Sequence, residues 1–226
     1  MTEPMRTVSL DEVEIAVRTM AEVALANERY FSELDSAAGD ADFGVSLASG
    51  FRVVLDRWEE FDRSSIGAFL MRIGMVITSH VGGCSGPIWG TGFMRSGMAA
   101  KGKEGLALND LVAMGRSSME GIMARGGAEL GDKTLLDALD PALSTLESWD
   151  EVARPDLIEA FAAATTAASA TIESTRDWVA RRGRQSFTGD RSRGTLDPGI
   201  VAVATMMQEV TRALVAARSS GKDDPT

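Results

Sequence analysis

The chain has 226 residues, with 33 Asp+Glu against 23 Lys+Arg and a formal net charge of −10. That length holds one domain or two small ones and can bury a sizeable core without disulfide or metal staples. So acidic a body is repelled by phosphate, which argues against nucleic acid or an anionic membrane as main partner, and the single Cys84 and single His80 exclude an intrachain disulfide, a multi-cysteine or multi-histidine metal site and most histidine-based triads.

Aromatic residues make up only 6% of the chain, with one tyrosine, and alanine is abundant. This favours helix over sheet, and no convincing period-2 run appears. Met1 to Leu10 carries Glu3 and Arg6 and no apolar segment of signal-peptide type. The longest apolar stretches are interrupted within about 10 residues, too short to span a bilayer. The simplest compartment is the cytoplasm, with no membrane role.

Helical periodicity predicts eight helices in chain order. The first covers Leu10 to Glu28 and opens on Ser9-Leu-Asp-Glu12, which has capping-box spacing. The second covers Phe43 to Phe61. The third covers Ser65 to His80 and stops at Gly82-Gly83. His80 there favours the helix C-terminus electrostatically. The fourth runs from Ser85 to Ala100, with Pro87 in its first turn. The fifth runs from Leu108 to Ala124 and stops at Gly126-Gly127. The sixth follows Thr134, with Asp137 three residues on, and ends near Trp149. The seventh is long, Pro155 to Arg182. The eighth starts at Asp197-Pro198 and runs to Ala217, leaving a polar, frayed tail from Ser219 to Thr226. Met71, Met75, Met206 and Met207 sit at helical spacing and read as core. No linker, composition shift or repeat marks a domain boundary, so residues 1–226 read as one all-α domain.

Short connections make neighbouring helices antiparallel. The four loops after the odd-numbered helices then lie at one end. Those loops are Leu34 to Gly44, Gly82 to Gly86, Gly126 to Thr134 and Gly183 to Gly199. They are the glycine-rich, polar ones, and their convergence on one rim marks a candidate site.

Each loop has two readings. Asp35, Asp40 and Asp42 repel one another unless a cation sits among them, which suits Mg²⁺. Otherwise this is a solvated acidic loop with Asp42 capping the next helix. Gly82-Gly-Cys-Ser-Gly86 offers backbone N–H groups to a phosphate, or is a helix stop followed by a serine cap. Cys84 reads as a small packing residue. Gly131-Asp-Lys-Thr134 looks like the end of a phosphate-binding P-loop but lacks the strand and the spacing. It leaves Lys133 and Thr134 available to a phosphate or nucleotide. The fourth loop gathers Arg184, Arg191 and Arg193, suited to phosphate or carboxylate, or is a long exposed linker.

Taken in order, these motifs resemble the nucleotide-binding L subunit of dihydroxyacetone kinase, the DhaL family. The matching stretches are Leu34-Asp35 with Gly39-Asp-Ala-Asp-Phe-Gly44, Gly82-Gly-Cys-Ser-Gly-Pro87, Gly131-Asp-Lys-Thr134 with Asp137, and Gly183-Arg184 through Asp197-Pro-Gly199. The resemblance spans Tyr30 to Met207. It implies an eight-helix antiparallel up-and-down barrel with a nucleotide site at one rim. Asp35, Asp40 and Asp42 would hold two Mg²⁺ ions that bridge the phosphates of ADP or ATP. Phe43-Gly44-Val45-Ser46 and Cys84-Ser85-Gly86 would contact phosphates or ribose. Gly126, Thr134 and Leu135 would line the site, Arg184 would hold the nucleotide, and Asp197-Pro198-Gly199 would complete the pocket. Lysines are few (Lys101, Lys103, Lys133 and Lys222), so metal would carry most of the countercharge.

The resemblance also implies a phosphotransferase that needs a partner. A K subunit would present a small ketose such as dihydroxyacetone, bound through its own histidine. The donor would be exchangeable ATP, or ADP held in place and rephosphorylated by a phosphotransferase-system protein. A homodimer is compatible with this reading. Phe43 stands where the family has a histidine and Ser46 where it has an asparagine. That leaves open a kinase subunit for another carbonyl or acyl substrate, beside a non-catalytic nucleotide-binding regulatory module.

Overall fold

The computed structural model describes residues 7–150 and 156–220. Within them lie nine α-helices and two 3₁₀ segments. The helices are α1 Leu10–Ala26, α2 Glu28–Ser36, α3 Phe43–Asp56, α4 Ile66–His80, α5 Ser85–Ala99, α6 Leu108–Gly126, α7 Leu135–Asp150, α8 Leu157–Ser174 and α9 Pro198–Ser220. The 3₁₀ segments are Trp58–Glu60 and Arg184–Ser192. Among the described residues the only β pairing is an isolated bridge between Val8 and Leu106.

The helices close into a ring. α1 packs on α3, α3 on α4, and each following helix on the next until α9 returns to α1. This is the expected eight-stave barrel, with α2 as an extra piece against α3 and α9. The tightest seam joins α4 to α5, where glycines replace side chains. A Cβ on Gly97 would stand 2.8 Å from the Gly67 carbonyl, and one on Gly90 2.7 Å from the Gly74 carbonyl. Inside the ring is an apolar cavity of about 360 Å³, lined by side chains such as Val17, Leu70, Trp89, Phe93, Leu139 and Met206.

Four boundaries differ from the sequence expectation. The first helix does not run unbroken to Glu28. It ends at Asn27, whose Nδ2 donates to the Val23 carbonyl at 2.9 Å, a side-chain-to-backbone bond that competes with helix continuation. The chain then resumes as α2, so Leu34 and Asp35 lie on the last turn of a helix rather than on a loop. The second predicted helix stops at Asp56, because Trp58 and Phe61 turn into the core and pack edge-to-face on each other and on Phe69.

The long seventh helix ends at Ser174, eight residues before Arg182. Tertiary bonds claim its continuation: the Lys133 ammonium takes the Arg176 and Trp178 carbonyls, and the Arg181 N–H goes to the Asp132 carbonyl. Its expected start at Pro155 lies outside the described residues, as do residues 221–226 of the tail. Ser219 and Ser220, expected to fray, continue α9.

Other expectations hold. Ser9 and Glu12 form the capping box, with N–H to oxygen distances of 3.0 and 3.3 Å. Gly127 ends α6 in the left-handed region at φ 62°. Asp197 caps α9 by accepting the Ile200 N–H at 2.8 Å. Met206 is core, but Met75 is 44% exposed. The expectation that no apolar stretch could cross a bilayer is overturned by α9, which is long and apolar enough by length and composition. In the fold it is a stave, burying Ile200, Val203, Met206 and Val210 against α1, α7 and α8.

Candidate functional site

The four loops do meet at one rim. A Cβ on Gly83 would lie 4.0 Å from Asp42 Oδ2, which puts the loop before α5 against the loop before α3. A Cβ on Gly126 would lie 2.8 Å from Ile88 in the first turn of α5. Arg184 Nε is 3.0 Å from Asp40 Oδ2, and Arg182 Nε is 3.4 Å from Asp132 Oδ2. A Cβ on Gly199 would stand 3.4 Å from that of Leu135.

Three carboxylates form the centre. Asp35, Asp40 and Asp42 each offer an oxygen, and these oxygens all lie within 4.8 Å of one another. Their local supports differ. Asp35 is 4% exposed, and its Oδ2 accepts the N–H groups of Asp42 at 3.1 Å and Phe43 at 3.3 Å. So the end of α2 caps the start of α3. Asp42 occupies the cap position of α3, yet its carboxylate makes no capping bond. That disfavours the solvated-cap reading and leaves the Asp42 carboxylate facing the cluster. Between the two outer acids Ala41 adopts φ 63°, an uncommon left-handed conformation for a residue with a Cβ.

The electrostatics match crowding of like charges. Burial pushes the Asp35 carboxyl up, the Phe43 N–H opposes this, and Asp40 and Asp42 push it up further. Burial and Asp40 push Asp42 up, with Arg184 opposing. A cation among them would reverse the sign of these effects. An all-oxygen donor set suits a hard divalent ion.

The remaining residues singled out by sequence separate into two groups. At the helix starts and loops of the rim, Val45 is 51% exposed, Cys84 is exposed rather than packed, Ser85 is the first residue of α5, and Arg184 reaches Asp40. Ser46 lies across from Gly82, whose Cβ would stand 2.8 Å from the Ser46 hydroxyl. Thr134 directs its N–H to Asp137 Oδ2 at 2.9 Å, and its hydroxyl accepts the Leu136 N–H at 3.3 Å. Others turn inward. The Phe43 ring packs edge-on to Phe31 with centroids 6.2 Å apart. Gly44 is buried against the α2 backbone, and Gly86 against the Val81 carbonyl. Pro198 and Gly199 are buried at the start of α9. Burial pushes the Asp197 carboxyl up to about 7, against the N–H groups of Ile200 and Gly199 and the charge of Lys133.

Lys133 overturns its expectation. It is fully buried, and its ammonium donates to three backbone carbonyls, so it is not available to a phosphate. Arg193 also turns away, pairing with Asp190 at 3.3 Å. Asp137 was legible only as a capping position; in the structure it accepts the N–H groups of both Gly131 and Thr134 and shapes the whole turn.

Residues 37–212 match the DAK2 domain family. The chain belongs to this family. It is 38% identical over 186 residues to the ADP-binding subunit DhaL of the PEP-dependent dihydroxyacetone kinase of Escherichia coli K12, covering 81% of this chain and 87% of that one. It is 39% identical over 172 residues to the corresponding subunit of kinase 2 of Listeria innocua, covering 75% of this chain and 79% of that one. The L-erythrulose 1-kinase of Mycolicibacterium smegmatis is 31% identical over 195 residues, which is 85% of this chain but 34% of that kinase. The fold is also that of a dihydroxyacetone kinase from C. freundii solved with AMP-PNP and Mg²⁺. That likeness has a TM-score of 0.69 at 22% identity, over 93% of this chain and 35% of the other. The four loops quoted above as DhaL-like lie within or beside the DAK2 match, and the rim they form is the part of the fold that carries the acidic cluster.

Proposed function

We propose that this chain is the nucleotide-binding L subunit of a dihydroxyacetone kinase, a phosphotransferase that takes its ketose from a separate K subunit. The observation that carries the reading is the gathering of Asp35, Asp40 and Asp42 within 4.8 Å at a rim of glycine-rich helix starts. Two Mg²⁺ ions held there would neutralise the charge that builds on transferring phosphoryl oxygens.

The residues of the chain then divide the work. Asp35 is fixed by two backbone N–H groups and sets the position of the cluster. Asp40 and Asp42 complete it from the adjoining turn. The small residues Gly82 to Gly86 let the start of α5 approach a phosphate closely, where its N–H groups and dipole favour negative charge. Arg184 reaches the same centre from the opposite loop and supplies a bidentate cation to phosphate. Thr134, Leu135 and the Asp197-Pro198-Gly199 turn border the nucleotide. Phe43, half-buried and packed edge-on to Phe31, acts by fixing the start of α3 rather than by polar contact.

For the donor, the relatives at 38 and 39% identity are ADP-binding subunits of PEP-dependent kinases. This favours ADP that stays bound and is rephosphorylated by a phosphotransferase-system protein. The partner K subunit, the ketose and the cytoplasmic setting belong to the same proposal. Replacing Asp40 with Asn tests it: Mg²⁺-ADP affinity measured by titration is expected to fall at least a hundredfold, about 3 kcal/mol. An unchanged affinity, or purified wild-type protein that binds no Mg²⁺-ADP, refutes it.

A further inference from the structure

The 23 residues between Ser174 and Pro198 hold only a 3₁₀ stretch, yet Arg184 within them meets Asp40 at 3.0 Å. That exposed ion pair, with side chains 59% and 40% accessible, is too weak to hold so long a segment in place. Something else must set its position.

Lys133 does so from the neighbouring loop. Its side chain is completely buried, and its backbone takes the left-handed conformation at φ 62°, rare for a residue with a long side chain. The ammonium donates to the carbonyls of Arg176 at 2.9 Å, Trp178 at 3.1 Å and Ser192 at 2.7 Å. Three donors meet three acceptors, so the group is saturated and has none left for a ligand. The acceptors lie at both ends of the segment: two where it leaves α8, one where the 3₁₀ stretch ends. The stretch carrying Arg184 is thereby closed into a loop whose neck is pinned at one point. Neighbouring bonds run the same way. The Arg181 N–H donates to the Asp132 carbonyl at 3.0 Å, the Ala180 N–H to the Ser192 hydroxyl at 2.9 Å, and the Gly194 N–H to the Arg176 carbonyl at 3.0 Å. Asp177 and Asp197 offset the buried charge from outside the carbonyl cage.

We propose that Lys133 is a positioning residue for the nucleotide site: its ammonium serves as a built-in cation that pins the neck of the 176–192 loop and so holds Arg184 over the acidic cluster. This rests on the reading of the rim as a Mg²⁺-nucleotide site. An arginine would not substitute, because its planar fork matches a carboxylate or phosphate and not a cage of three converging carbonyls.

The test uses the full chain with Lys133→Met, Arg184→Gln and the double variant. Three quantities are read: Mg²⁺-ADP affinity, affinity for Mn²⁺ alone, and the rate of tryptic cleavage at the arginines of residues 181–193. With Lys133→Met, cleavage is expected to quicken at least tenfold and Mg²⁺-ADP affinity to fall at least tenfold, with Mn²⁺ affinity unchanged within twofold. Since Lys133 acts through Arg184, the double variant should bind Mg²⁺-ADP no more weakly than Arg184→Gln alone. Additive losses, or unchanged cleavage, overturn the proposal. Lys133→Gln, which keeps two donors, should fall between wild type and Lys133→Met. If neither variant folds, Lys133 is a residue of the core and the positioning role is overturned. A wild-type protein that binds no Mg²⁺-ADP would instead refute the nucleotide reading, and the cleavage comparison would still report on the pinned neck.

Discussion

Gly44→Ala changes no carboxylate, yet it is expected to dismantle the acidic cluster. Gly44 is the second residue of α3 and lies against the α2 backbone. A Cβ there would stand 2.7 Å from the Ser32 nitrogen and 2.6 Å from its hydroxyl, with the Glu28 carbonyl closer still. Ordinary contact needs about 3.4 Å, so the start of α3 must withdraw from α2 by about 0.7 Å to clear the Ser32 nitrogen alone, and by more to clear the Glu28 carbonyl. The Ser32 nitrogen and the Glu28 carbonyl are backbone atoms of α2, which no rotamer change removes. Asp35 sits on α2, while the two N–H groups that orient it belong to Asp42 and Phe43 at the start of α3. Those bonds are already 3.1 and 3.3 Å long, and a further 0.7 Å breaks both.

Loss of such an outer support lowers metal affinity by about 10–100-fold. The overpacking itself costs about 1–3 kcal/mol, a fall in Tm of roughly 2–12 °C for a chain of this size. Both effects are read on one sample, by calorimetric titration with Mg²⁺-ADP and by thermal unfolding followed by circular dichroism. Gly92→Ala is the control, because its Cβ would meet only Ile122 Cδ1 at an ordinary 3.4 Å and should leave binding unchanged. Gly44→Ala that folds and binds Mg²⁺-ADP within twofold of wild type would refute the claim that α3 orients Asp35 through its N–H groups.

Two further outcomes follow from charge. Asp197 titrates near 7 in the fold against an ordinary 3.8, so between those values the native state keeps a proton that the unfolded chain has released. Its contribution is fully present below the ordinary value and is lost as pH rises through about 7. Asp197→Asn keeps a capping oxygen and removes this slope, so in ligand-free protein its Tm should gain on wild type between about pH 5 and 8. A Tm difference that stays constant over that range refutes the account. Arg116 on α6 donates to both oxygens of Glu147, each at 2.7 Å, and to Asp140 at 2.6 Å on α7. Arg116→Met strands two carboxylates in a half-exposed setting, which costs about 1–2 kcal/mol and about 2–8 °C in Tm. The loss should shrink in high salt, and an unchanged low-salt Tm would count against it.

The helix pattern and the rim were readable from sequence because both rest on local chemistry. Caps such as Ser9, Asp197-Pro198 and Gly127 announce helix ends without reference to the rest of the chain. An even alternation of short connections then places alternate loops together, which is how Asp42, Gly83 and Arg184 could be expected near one another. What escaped is set by distant groups. Nothing near Arg182 announces that the helix stops at Ser174, since the carbonyls that end it are taken by Lys133 about 40 residues away in sequence. The inward turn of Phe43 depends likewise on Phe31, and the burial of Lys133 on three carbonyls in two other segments. A lysine beside glycine, aspartate and threonine reads as a phosphate ligand. Only the fold shows its charge already spent on backbone.

The two kinds of positive charge at the rim therefore have different standing. Lys133 is buried and saturated, so it offers no donor to a ligand and acts only through the loop it pins. Arg184 is exposed and its guanidinium pairs with Asp40, an acid that a metal ion would also claim. Occupation of the acidic cluster by a divalent cation would weaken that pair and release the guanidinium toward the phosphates. Because the neck of the loop is already pinned, exchanging Asp40 for phosphate would cost little ordering entropy. On this proposal the net charge of −10 is compatible with a polyanionic ligand: three of the acids gather where a metal would sit, and Arg184, which pairs with Asp40, would be free to bind the nucleotide once a metal claimed that acid.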